Sequence, residues 1–188
     1  MFDFLYYYSA FEVFRNGLNP YDPVLQNAAL TALQRPEGSG FATFPYPPWL
    51  LIFLFPVLVL PLNSAAVLWF LLNMIFIFFC GVFAWKAFRP ETFRLIPAVC
   101  AGLFFVPIFH VLQWGQISLF ITTALCFFLY LVKTRRDILA GLSLLVVIIK
   151  PQQSFLLLLL IPCWIVRYRR WKIAISISLG DLFFSFFL

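Results

Sequence analysis

The chain has little charge. Of its 188 residues only 11% are Asp, Glu, Lys or Arg, against 64% hydrophobic and 21% aromatic, with a single histidine. A mean hydropathy of +1.00 is more than one soluble core of this length could conceal, which excludes an ordinary water-soluble domain. It also lacks a DxD pair, an HExxH, a GxGxxG and a Walker sequence, so no metal centre, phosphate-cradling loop or cofactor is expected. Cys80, Cys100, Cys126 and Cys163 each stand alone in apolar surroundings without CxxC spacing and read as small packing residues. "MFDFLYYYSAFEVFRNG" interleaves polar groups too densely for the apolar core of a signal peptide.

What is present is a series of apolar blocks from residue 49 onward, separated by short charged knots. The net charge of +6 gathers in three of these knots: Lys86/Arg89/Arg94, Lys133/Arg135/Arg136 and Arg167/Arg169/Arg170/Lys172. Basic clusters between apolar runs mark cytoplasmic loops of a multi-pass membrane protein, not a nucleic-acid partner. The expected fold is an all-α polytopic helix bundle with an outer, juxtamembrane N-terminal segment.

Residues 1–48 form that segment. An amphipathic helix over 2–16 ends at Gly17, "NPYDP" redirects the chain, "VLQNAALTALQ" makes a second short helix, and "RPEGSGFATFPYPP" is a loop. The membrane domain, 49–188, contains apolar pieces at 49–60, 64–85, 95–111, 117–132, 138–149, 152–166 and 172–188. At 1.5 Å per residue the piece 64–85 spans about 33 Å and crosses a ~30 Å hydrocarbon core, whereas 49–60 spans about 18 Å and suits an interfacial or re-entrant helix.

Placing all three basic clusters in the cytoplasm fixes the rest. The N-terminal segment, "QWGQ" (113–116) and "KPQQ" (150–153) then face outside. Residues 138–166 cannot be one span without putting "KTRRD" and "RYRRWK" on opposite sides, so two short helices meet at Lys150-Pro151, where the proline ring disfavours helix. Broken backbone at membrane depth lines a wet cavity or lies buried in protein, and an ammonium there costs about 2.5–3.5 kcal/mol unless it is partnered or used. Lys150 is therefore a candidate for anion binding, with snorkelling to headgroups as the simpler account. Gln113 and Gln116, around Gly115, bring amides to the same outer depth.

Asp3 heads the first helix, with Tyr6 and Tyr7 on its face at i+3 and i+4. A carboxylate beside aromatic rings suits a sugar site, and an N-terminal Asp equally suits the helix dipole; the residues alone leave both open. Glu12 lies half a turn away from that face and pairs more naturally with Arg15. Tyr46 and Trp49 read as interface anchors. His110, in "PIFHVLQ", is accounted for by packing more simply than by ligand binding.

The order of these features resembles glycosyltransferase family 87, of the GT-C superfamily. Asp3 precedes a Tyr-rich helix; then come "NGLNPYDP", "FPYPP" opening an apolar piece that ends at Leu60-Pro61, "WGQISLF", and "IIKPQ" before an Arg-rich loop. The resemblance covers residues 2 to about 172. It implies a membrane-embedded enzyme that transfers a hexosyl group, mannosyl in the best-known members, from a polyprenyl-phosphate carrier to a glycolipid or glycan acceptor on the outer face of the cell membrane. It implies Asp3 as the catalytic carboxylate, with Gly115, Gln116, Lys150 and Pro151 on the family's polar motifs. The lipid-linked sugar donor is then a co-substrate and no cofactor is needed. Gln113, Tyr7, Tyr46 and His110 complete the substrate-binding candidates. Relatives carry a helix before the carboxylate and more after residue 188, so the chain reads as a fragment. A secondary transporter with a discontinuous-helix site and a non-catalytic remnant are the competing readings.

Overall fold

The computed structural model describes residues 2–34, 43–88, 96 and 106–186. Among them the structure is helical without strands: α1 (Phe2–Arg15), α2 (Pro23–Ala32), α3 (Trp49–Leu58), α4 (Leu62–Phe88), α5 (Val106–Trp114), α6 (Ser118–Lys133), α7 (Asp137–Val147), α8 (Pro151–Tyr168) and α9 (Trp171–Phe186). Most of the expected span 95–111, with Cys100, Arg89 and Arg94, lies outside the described residues. Contacts divide the chain into two compact units: residues 1–72 with 109–116, and 73–108 with 117–188.

The first unit is built on α1. Its end follows from Gly17, whose φ of +72° suits a residue without a Cβ; the amides of Gly17 and Leu18 close back onto the carbonyls of Phe14 and Val13. Asp22 caps α2 by accepting from the amides of Val24 (2.8 Å) and Leu25 (3.3 Å), and Pro23 occupies the first helical position, where no amide is needed. Buried Gln26 of α2 donates to Ser9 Oγ (2.8 Å) and to the Tyr6 carbonyl (3.2 Å), fixing α2 against α1. The expected interfacial piece appears as α3, ten residues long and thus about 15 Å, packed on α1, where Phe55 meets Phe11 edge-on at 5.8 Å, with Leu50, Leu54 and Leu58 buried.

In the second unit α7 packs between α6 and α9, where small residues let the backbones approach. A Cβ at Gly141 would collide with Ser176 Oγ and lie 2.6 Å from the Ile173 carbonyl, and one at Gly180 would meet the Leu145 side chain. The far part of α4 lies against α6: Thr123 Oγ1 donates to the Phe76 carbonyl (2.9 Å), the Phe83 and Phe127 rings sit 4.7 Å apart, and the Cys80 and Cys126 sulfurs are 3.5 Å apart.

The break at Lys150-Pro151 stands as expected. Helix α7 stops at Val147, Lys150 is non-helical (φ −130°, ψ 75°), and Pro151 opens α8. Ser154 Oγ reaches back to the Val147 carbonyl (3.3 Å), and its own backbone leaves the helical region, so α8 begins with a kink. The helices α6 and α8 end on residues in the left-handed conformation, as α1 does, but with Arg135 (φ 61°) and Arg169 (φ 53°) in place of glycine. A cation there meets the negative end of the helix dipole.

One described helix, α4, is long and apolar enough to cross a membrane, with 27 residues and a mean hydropathy of 2.5 over its most apolar stretch.

Candidate functional site

Helical spacing places Asp3, Tyr6 and Tyr7 on one face of α1, and the structure brings all three, with Tyr46, to a cleft of about 210 Å³. Thr43 and Pro45 complete its rim. Tyr7 is fully buried, and its ring meets that of Tyr46 edge-on at 5.4 Å. The segment "FPYPP" is stiff, and Tyr21 holds it by donating its hydroxyl to the Tyr46 carbonyl (2.9 Å).

Tyr46 departs from the expected interface anchor. It is 8% exposed and packed on Tyr7 and Phe44, because the proline-rich strap folds onto α1 and carries the ring inward. Burial, first, and the Asp3 charge raise its phenol above the ordinary tyrosine range, against a hydrogen bond from Tyr7 that lowers it. The ring is thus a neutral phenol in the cleft wall.

The turn at Gly115 belongs to the same unit. Its φ of +69° ends α5, with the amides of Gly115 and Gln116 bonded to the carbonyls of Leu112 and Val111. Trp69 ties this turn to the head of α1. Its indole donates to the Gly115 carbonyl (2.8 Å) while its ring stacks on Phe4 at 6.0 Å and meets Tyr7 edge-on at 6.4 Å. Trp114 packs on Phe2 at 5.6 Å. Asp3, Tyr7, Tyr46 and the Gly115–Gln116 turn are therefore neighbours. Gln113 and His110 are exposed. The role of Trp69 was not legible: one tryptophan in a uniformly apolar run carries no spacing signal.

Lys150 belongs to the second unit. It is half-buried at the head of α8, where Gln153 donates to Ser118 Oγ (2.6 Å) and so joins the starts of α8 and α6. At the opposite end of α6 described members of the three charged knots gather. Lys133 donates to the carbonyl of Ala87 (2.6 Å), Lys86 stands over the Tyr130 ring (5.7 Å), and Arg170 forms an ion pair with Asp137. Among the described residues no group of three or more His, Cys, Asp or Glu gathers as metal ligands do.

The sequence model of glycosyltransferase family 87 matches residues 44–185. The chain belongs to this family. The matched span includes Tyr46, the Gly115–Gln116 turn and Lys150, and begins after α1, so Asp3 lies before it. No curated protein and no solved structure matches the chain.

Proposed function

We propose that this family 87 glycosyltransferase moves a hexosyl group, mannosyl being the first to test, from a polyprenyl-phosphate carrier to a hydroxyl of a glycolipid or glycan acceptor, with inversion, on the outer face of the cell membrane. One observation carries the reading: a chain of this family holds a carboxylate, Asp3, in one cleft with the rings of Tyr6, Tyr7 and Tyr46. Rings suit the apolar faces of a pyranose, and a carboxylate suits its hydroxyls. At about 210 Å³ the cleft is smaller than the roughly 300–1,000 Å³ that encloses a whole small molecule, so it suits one sugar ring at the end of a longer substrate.

In the proposed step the acceptor oxygen bonds to the anomeric carbon as the bond from that carbon to the phosphate oxygen breaks. The hydroxyl proton passes to the Asp3 carboxylate and the bonding pair leaves with the polyprenyl phosphate. The family resemblance alone gives the Lys150 ammonium the role of meeting the phosphate charge. The neutral Tyr46 phenol offers a donor without competing for the proton.

The test is transfer from a polyprenyl-phosphate hexose in proteoliposomes carrying the full-length protein. Asp3→Asn keeps the shape and removes the base, and turnover falls about 10²–10⁴-fold. Turnover equal to the unaltered protein's would remove the mechanism.

A further inference from the structure

A second and larger cleft opens on the other side of α1. Glu12 follows Asp3 by nine residues, half a turn around the helix, so it serves a different space. This cleft, of about 570 Å³, is walled by Tyr8, Glu12 and Arg15 on one side and by the α3–α4 corner, Val59 to Leu62, on the other. The Tyr8 hydroxyl donates to the Leu60 carbonyl (3.0 Å) and holds the corner to α1. Its volume falls within the roughly 300–1,000 Å³ of clefts that enclose a small ligand. The proposed transfer reaction uses none of these residues.

The charges define what fits. Glu12 and Arg15 face each other at 3.5 Å, with side chains 27% and 58% exposed, so the pair is accessible and sums to zero. The backbone repeats the arrangement: the corner joins the carbonyl end of α3, partially negative, to the amide end of α4, partially positive. A ligand of one sign would satisfy half of this wall and oppose the other half. A zwitterion satisfies both.

The apolar surroundings add a second requirement. Val59, in the cleft wall, continues a stripe with Ile52 and Phe55, which are 41% and 53% exposed, along an α3 face that borders α1, where Phe55 meets Phe11 edge-on at 5.8 Å. The spacings of three and four residues make this one continuous helical face. A head seated between Glu12 and Arg15 can therefore lay an acyl chain along α3. Glu12 accepts hydrogen bonds, so it favours an ammonium that carries protons over a trimethylated one.

We propose that this cleft binds one zwitterionic glycerophospholipid with a primary ammonium head, phosphatidylethanolamine, the ammonium on Glu12 and the phosphate on Arg15. The site rests on the membrane reading of the chain and is independent of the Asp3 chemistry. The experiment places the full-length protein in nanodiscs of equimolar phosphatidylethanolamine, phosphatidylcholine and phosphatidylglycerol with matched acyl chains, releases it, and reads the lipid adducts by native mass spectrometry. Phosphatidylethanolamine adducts should exceed each of the others by about tenfold, the ratio expected of one added charge-assisted hydrogen bond. Glu12→Gln should level phosphatidylethanolamine with phosphatidylcholine, Arg15→Gln should weaken all phospholipid adducts, and Asp3→Asn should leave the preference intact. Equal adducts of the three lipids, a phosphatidylglycerol preference, or a preference unchanged in both variants would each overturn the site. A chain that does not enter nanodiscs would instead overturn the membrane reading.

Discussion

Asp3 and Tyr46 show how much one residue's surroundings decide. Tyr46 keeps its proton in the folded chain at pH values where an unfolded tyrosine loses it, because burial raises its pKa. The sign follows from linkage: a raised acid binds more protons folded than unfolded, so its stabilisation is full below about pH 10 and is lost as pH rises through the folded value. Thermal unfolding followed from about pH 8 to about pH 11 should therefore decline less steeply for Tyr46→Phe than for the unaltered chain. Identical slopes would contradict the placement of this ring. The face shared by Asp3, Tyr6 and Tyr7 was legible in the sequence, since helical spacing alone sets it. Tyr46 was a substrate-binding candidate in the sequence, but its packing on Tyr7 was not legible, because a contact across 39 positions depends on where the strap folds. A second case is Trp69, whose indole bond to Gly115 is buried. Trp69→Phe keeps a ring and removes the donor, at a cost of about 1 kcal/mol measured as loss of unfolding free energy. A change below a few tenths would mean the bond does not form.

The elements divide by the kind of signal that made them. The stop at Gly17, the cap at Asp22 and the break at Lys150-Pro151 were all readable, because each rests on the backbone chemistry of one residue type. Partners were not readable. Helix α7 crosses α9 closely because Gly141 and Gly180 remove side chains at the crossing, and a small residue in an apolar run gives no periodic pattern. Gly141→Ala should lower stability by about 1–3 kcal/mol, since the added methyl meets the Ile173 carbonyl of a packed backbone. An unchanged midpoint in a denaturation series would contradict the crossing. The contact of α4 with α6 has its own test. With Cys80 and Cys126 sulfurs 3.5 Å apart, copper-phenanthroline oxidation should remove both thiols, two protons and two electrons going to the oxidant, and join peptides from the two helices. Cross-linking that Cys126→Ser leaves unchanged would show that these helices do not meet there.

For the whole molecule, family membership and the charged knots supply the frame. In the second unit the bonds of Lys133 to the end of α4, and of Arg170 to Asp137, hold Lys86, Lys133 and Arg170 at one end of α6, while Gln153 meets Ser118 at the other. A strongly positive end opposite one that carries Gln153, Ser118 and Lys150 is what a bilayer with a cytoplasmic positive bias selects. The account's central claim is that the Gly115–Gln116 turn, neighbour of the Asp3 cleft, faces outside while the knot at Arg135 faces the cytoplasm. Single cysteines introduced as Gln116→Cys and Arg135→Cys in the full-length protein, with its native cysteines replaced, report this directly through a membrane-impermeant maleimide applied to intact cells. The account predicts labelling of Gln116→Cys in intact cells and of Arg135→Cys only after permeabilisation; labelling of Arg135→Cys in intact cells would contradict it.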